Sequence, residues 1–234
     1  MSKRKNMKTA LFFLLLFSCV ANAQVTSKTV DYFDQDVELR GALYWDKTVT
    51  EKRPGVLVYP EWWGVTKYVH RRARMLAELG YVAFVVDMYG KKKITKKPGR
   101  AKAWMKKVTK DPRGWVQRAN AALDQLKGAS QVDVNRIAAV GYCFGGGTVL
   151  QMAYAGLDLK GVVSFHGSLP AAPEESKGKV RADILVLHGE DDSFLPPEVV
   201  MNFKEKLNAA QAKRTLVSYK GIKHSYTNPP AANS

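Results

Sequence analysis

The chain has 234 residues, 46% of them hydrophobic, a size and composition that suit one globular domain with a sizeable core. Its 37 Lys and Arg against 21 Asp and Glu give a formal charge of +16. Cys19 and Cys143 are the only cysteines, which excludes a disulfide-built framework.

The first element along the chain is a leader. Lys3, Arg4, Lys5 and Lys8 form a basic start, and Leu11 to Phe17 is an apolar run too short to span a bilayer. Ala21-Asn22-Ala23 then offers small residues for a signal peptidase, so residues 1–23 read as a secretory signal peptide. Leu16-Phe17-Ser18-Cys19 is a weaker match to a lipoprotein signal, because Phe17 is bulky for that role. Export to the periplasm or outside the cell is the expectation, with no stable membrane span after cleavage. Cleavage removes four basic side chains and no acidic ones, so the formal charge falls to +12 and Cys143 becomes the lone cysteine. An unpaired thiol in an oxidising compartment is a liability unless it is used or hidden.

Residues 24–234 then read as a single domain. Val37 to Trp45 is a strand, hairpinned with residues near Val30, and Pro54 to Pro60 is a continuous apolar strand. Lys67 to Leu79 has helical spacing and ends at Gly80; Tyr81 to Val86 is another buried strand. Two helical stretches follow, 98–108 and 112–127, broken at Asp111-Pro112. Arg136 to Val140 is a strand, Cys143 to Ala155 a helix, and Gly161–Phe165 and Ile184–His188 are strands. Pro197 to Ala210 is a helix opened by proline, and Thr215 to Tyr219 the last strand. Apolar strands alternating with amphipathic helices imply an α/β fold, with a mostly parallel central sheet covered by helices on both faces.

Residues 91–118 concentrate the charge, and this run is ordinarily a solvated helix face and loop. No nucleic-acid module accompanies it, and export argues against nucleic acid as a partner. A non-catalytic binding protein using a basic face for anionic surfaces is the alternative reading.

The chemistry sits in the loops after the strands. Gly141-Tyr142-Cys143-Phe144-Gly145-Gly146 has the pattern of a nucleophile elbow, in which a strand turns sharply into a helix and pushes the tip residue toward solvent. Small neighbours are needed because strand and helix approach too closely for side chains. A nucleophile needs a base, and the base an orienting acid. The order nucleophile, acid, histidine is that of the α/β-hydrolase fold, and it selects Cys143, Asp192 and His224. Asp191 competes with Asp192, but the usual spacing in this fold, three after the loop glycine (Gly189) and four before the proline (Pro196), lands on Asp192. The backbone N–H groups of Trp62 and Phe144 are expected to form an oxyanion hole. Glu61 is expected beside the nucleophile. The aromatics Trp62, Trp63, Tyr89 and Trp104 are candidates to line an apolar pocket, with Trp63 and Tyr89 as substrate contacts. His166 and His188 have no metal-ligand spacing and read as strand-end residues, so no metal and no cofactor are expected.

Pro60-Glu61-Trp62-Trp63-Gly64, Val86-Asp87-Met88-Tyr89-Gly90, the cysteine elbow, His188-Gly189-Glu190-Asp191-Asp192 and Gly221-Ile222-Lys223-His224-Ser225-Tyr226 together resemble the dienelactone hydrolase family of α/β-hydrolases, over roughly residues 30–230. The resemblance implies hydrolysis of a small ester or lactone by Cys143, His224 and Asp192 without cofactor or metal. It also implies that Glu61 takes part in converting thiol to thiolate when substrate binds. Three departures stand out. Asn228 occupies the place of a substrate-binding arginine, with Lys residues of 91–118, Arg113 or Arg118 as substitutes. The basic segment has no clear counterpart. The family usually carries a final helix after the histidine loop, where this sequence stops ten residues after His224; whether the sequence is incomplete or a partner fills the gap, looser packing around His224 is expected.

Overall fold

The computed structural model describes residues 23–228. The expected signal peptide therefore falls almost wholly outside the described residues. Eight strands form one sheet in the order β1-β2-β4-β3-β5-β6-β7-β8. β1 (Val25–Asp34) and β2 (Val37–Asp46) make an antiparallel hairpin, and β2 runs antiparallel to β4 (Val82–Val85). β3 (Arg53–Tyr59), β4, β5 (Val132–Tyr142), β6 (Gly161–Phe165), β7 (Asp183–Gly189) and β8 (Arg214–Tyr219) are parallel.

Parallel strands need crossovers, and five helices supply them: α1 (Lys67–Glu78), α2 (Pro98–Thr109), α3 (Pro112–Lys127), α4 (Phe144–Tyr154) and α5 (Pro197–Ala209). The break between α2 and α3 has a local cause. Asp111 caps α3, its carboxylate accepting from the N–H groups of Arg113 and Gly114 at 3.1 Å each, and Pro112 starts the helix with a fixed φ.

The sheet divides the interior into two apolar layers. The larger joins Leu57, Tyr59 and Phe84 to Leu123, Leu126, Leu150, Phe203 and Leu207 of the helices. The smaller packs Val58, Val85 and Tyr142 beneath Val69, Ala73 and Ala77 of α1. Among the described residues no helix is long and apolar enough to cross a membrane. The parallel strands all point their carboxyl ends to one edge, and the loops leaving that edge carry Glu61, Cys143, Asp192 and His224.

Candidate active site

Cys143 stands between β5 and α4 with φ 52° and ψ −113°, a conformation that costs a non-glycine residue about 1–3 kcal/mol. Its neighbours make that corner possible. A Cβ on Gly141 would lie 2.0 Å from the Gly145 carbonyl oxygen, and one on Gly145 would lie 2.5 Å from the Tyr59 oxygen. Backbone bonds lock the turn: the Cys143 N–H donates to the Phe165 oxygen at 3.1 Å, and the Gly145 N–H to the Pro60 oxygen at 3.0 Å. The second bond ties α4 to the loop after β3. Among the described residues, the amides of Trp62 and Phe144 donate to no other group.

His224 leaves the loop after β8, and its Nδ1 lies 2.7 Å from Asp192 Oδ2. Asp192 is 3% exposed, and its other oxygen accepts from the Phe194 N–H at 3.0 Å. Asp191, which the sequence left as a competitor, is exposed; its N–H donates to the Ile222 oxygen and so braces the histidine loop. Burial opposes charge on Asp192, but hydrogen bonds from His224 and the Phe194 amide outweigh it and hold the carboxyl below its ordinary range. Burial also opposes charge on His224. The hydrogen bond to Asp192 and the nearby Cys143 sulfur overcome that penalty and raise the imidazole to about 10. The carboxylate thus holds the His224 ring, with the Cys143 sulfur close by.

Glu61 is buried, but its carboxyl group faces the histidine loop. Its oxygens accept from Ser225 Oγ at 3.3 Å and from Asn228 Nδ2 at 3.1 Å. Burial raises it above the ordinary carboxylate range against those two hydrogen bonds. Asn228, which from the sequence was only the absence of a cation, therefore has a role of its own in holding Glu61. The partner of Glu61 was not readable because it lies 167 residues away.

Packing around His224 also differs from the expectation of looseness. Each side chain from 224 to 228 has a partner on another element: His224 on Asp192, Ser225 and Asn228 on Glu61, Tyr226 on the Leu187 oxygen, and Thr227 on His166 and Tyr68. Polar contacts made by the loop itself hold it in place. Phe194, 68% exposed, lies edge-on to the His224 ring with centroids 4.9 Å apart. Sequence reading missed Phe194, Tyr68, Arg72 and Thr227, none of which belongs to a motif.

The aromatics divide. Tyr89 stacks on Phe144 at 5.7 Å and touches Trp104 at 5.6 Å, whereas Trp62 and Trp63 pack on each other at 5.0 Å. Tyr89 and Trp104 line a cavity of about 310 Å³ with Lys93, Lys107, Gln117 and Arg118. The cavity wall is mixed rather than apolar. Neither Trp62 nor Trp63 lines it. Of the two arginines considered as substitute cations, Arg118 is already paired with buried Asp34, and Arg113 is exposed in the first turn of α3. Strand-end His188 and His166 are both buried, and burial pushes each imidazole down, His166 to about 3.

A mostly parallel sheet with a strained cysteine at one strand end and a carboxylate-bound histidine at others defines the architecture of an α/β-hydrolase. The model of the dienelactone hydrolase family matches residues 39–234, and the chain belongs to that family of carboxylic ester and lactone hydrolases. A Bradyrhizobium protein named probable 2-oxo-3-(5-oxofuran-2-ylidene)propanoate lactonase is 26% identical over 187 residues, covering 76% of this chain and 75% of the relative. The crystal structure of a dienelactone hydrolase-like promiscuous phosphotriesterase from metagenomic libraries is 32% identical, with TM-score 0.85, covering 89% of this chain and 87% of that one. A dienelactone hydrolase from Anabaena variabilis shares the fold at 21% identity and TM-score 0.66, with coverage of 90% and 93%.

Proposed function

We propose that this chain hydrolyses small carboxylic esters or lactones through a Cys143–His224–Asp192 triad and a thioester intermediate. The observation that carries the reading is the His224 ring, bound to Asp192 at 2.7 Å and standing near Cys143 at its strained strand-to-helix corner.

The thiol proton passes to His224, and the sulfur attacks the carbonyl carbon. Asp192 fixes the tautomer and stabilises the imidazolium. The free amides of Trp62 and Phe144 receive the oxyanion, a role in which one donor is typically worth ~3–4 kcal/mol of barrier. The C–O bond breaks, the alkoxide takes the proton from His224, and the acyl group remains on sulfur. Water, deprotonated by His224, then attacks the thioester and releases the acid and the thiol. Glu61 sits within the field of His224, in keeping with the part its family counterpart plays in forming thiolate.

Purified protein should turn over an activated aryl ester, and Cys143→Ala should lower kcat by ~10³-fold or more. Full turnover in that variant would reject the mechanism. The names of the lactonase and phosphotriesterase relatives define the substrate panel: a small lactone, an aryl ester and a phosphotriester.

A second reading has one observation in its favour. Residues 91–118 carry twelve Lys and Arg and one acid, Asp111, and most of these cations are exposed. A basic face of that kind fits an anionic surface, and such binding would weaken steeply with salt and ignore alkylation of Cys143. In the first reading residues 1–23 direct export, which N-terminal sequencing of the protein from its native compartment would check.

A further inference from the structure

Four side chains behind the catalytic histidine form a continuous hydrogen-bond chain that none of the motifs contains. Arg72 on α1 donates from Nε to Tyr68 Oη at 3.2 Å and from Nη2 to the Thr227 backbone oxygen. Tyr68 Oη lies 2.5 Å from Thr227 Oγ1, and Thr227 Oγ1 lies 2.8 Å from His166 Nε2. A guanidinium can only donate. One arrangement, which uses every hydroxyl hydrogen, runs from Arg72 to Tyr68 to Thr227 to His166 and leaves the proton on His166 Nδ1, a buried atom without a partner. Burial keeps His166 neutral, as an acceptor at Nε2 requires.

One end of this chain meets His224, and the other meets the residue before Cys143. The His166 ring, 1% exposed, lies edge-to-face with the His224 ring at 5.1 Å between centroids. The Arg72 guanidinium lies 5.5 Å from the centroid of Tyr142, the residue before Cys143, and 5.2 Å from that of Tyr68. Tyr142 in turn stacks on Phe165, the residue before His166, at 5.1 Å. One guanidinium thus abuts the strand end that carries sulfur and grips the loop that carries imidazole, three residues beyond His224.

We propose that Arg72 and Thr227 are positioning residues, which set the His224 ring against the Cys143 thiol through the chain Arg72–Tyr68–Thr227–His166. The proposal rests on the reading that Cys143 and His224 react together. It extends that reading by placing the histidine's alignment on α1, an element that contributes no reacting group. Thr227 is the link to break. Thr227→Val keeps the side-chain volume and leaves both Tyr68 Oη and His166 Nε2 without their partner, whereas Thr227→Ser keeps the hydroxyl.

The experiment compares wild type, Thr227→Val, Thr227→Ser, Arg72→Gln and Cys143→Ala as full chains. It measures melting temperature, kcat and KM on an activated aryl ester, and the rate of iodoacetamide alkylation at Cys143, located by peptide mass mapping. Thr227→Val and Arg72→Gln should lower kcat by ~10- to 100-fold with KM within about twofold, as a slight misplacement of reacting groups does. Alkylation of Cys143 should slow with it, and Thr227→Ser should stay within about threefold of wild type. The proposal is overturned if kcat falls only in step with the folded fraction, or if Thr227→Ser is impaired as deeply as Thr227→Val. If Thr227→Val does not fold, the Arg72→Gln comparison decides by the same criteria. Turnover retained in Cys143→Ala would reject the nucleophile, while slowed alkylation in Thr227→Val would still support the positioning role.

Discussion

Glu61 shows how a single residue's setting departs from its motif. A carboxyl group that is 4% exposed and met only by two neutral donors is costly to ionise. Its raised pKa means that the folded state resists the charged form. That penalty applies above the folded pKa and vanishes below the ordinary glutamate value of 4.5. Glu61→Gln should therefore raise the melting temperature at neutral pH by a few degrees, and the gain should shrink to nothing as pH falls toward 4. A gain independent of pH would show that folding leaves the Glu61 pKa unchanged. The motif Pro60-Glu61-Trp62 made Glu61 visible in the sequence, but not its direction. Its donors, Ser225 and Asn228, come from the far end of the chain, and no local pattern specifies such a pairing.

At the level of elements, the helix boundaries were legible where their signals are local. Asp111-Pro112 marks a helix start because an aspartate can accept from the first free amides, and both bonds are present at 3.1 Å. Thr66 also stands at an N-cap, that of α1, yet its side chain makes no capping bond. Asp111→Ala should cost about 1 kcal/mol of stability and Thr66→Ala much less, as urea unfolding of the two variants would measure. Equal losses would show that residue type, rather than the bond, decides. The cysteine elbow was legible for the same local reason. Gly141 must lack a side chain because the Gly145 backbone occupies the space, and a requirement imposed by a neighbour four residues away is written directly in the sequence; Gly145 answers instead to the distant Tyr59 carbonyl. α1 itself was recognised as a helix. That it carries Arg72 into contact with the histidine loop was not, because 155 residues separate the two.

Across the whole molecule the charge is uneven. Residues 91–118 account for +11 of the formal charge, and their cations are spread over α2, the loop before it and the start of α3. Like charges this close repel, and salt screens them over a Debye length of ~8 Å at physiological strength. Raising ionic strength from ~10 mM to ~0.3 M should therefore raise the melting temperature by a few degrees. A flat response would mean that local pairs such as Arg118–Asp34 already neutralise the field. The sequence alone determined the strand and helix order, the strained cysteine corner and the order of Cys143, Asp192 and His224 along the chain. Each of these depends on periodicity, on local sterics or on position along the chain. Only the tertiary structure decided that Asn228 holds Glu61, that Arg118 is already paired, and that Arg72, Tyr68, Thr227 and His166 stand behind His224. A hydrogen bond between distant residues depends on where the backbone brings them, and the folded sheet brings the ends of β3, β6 and β8 together with α1.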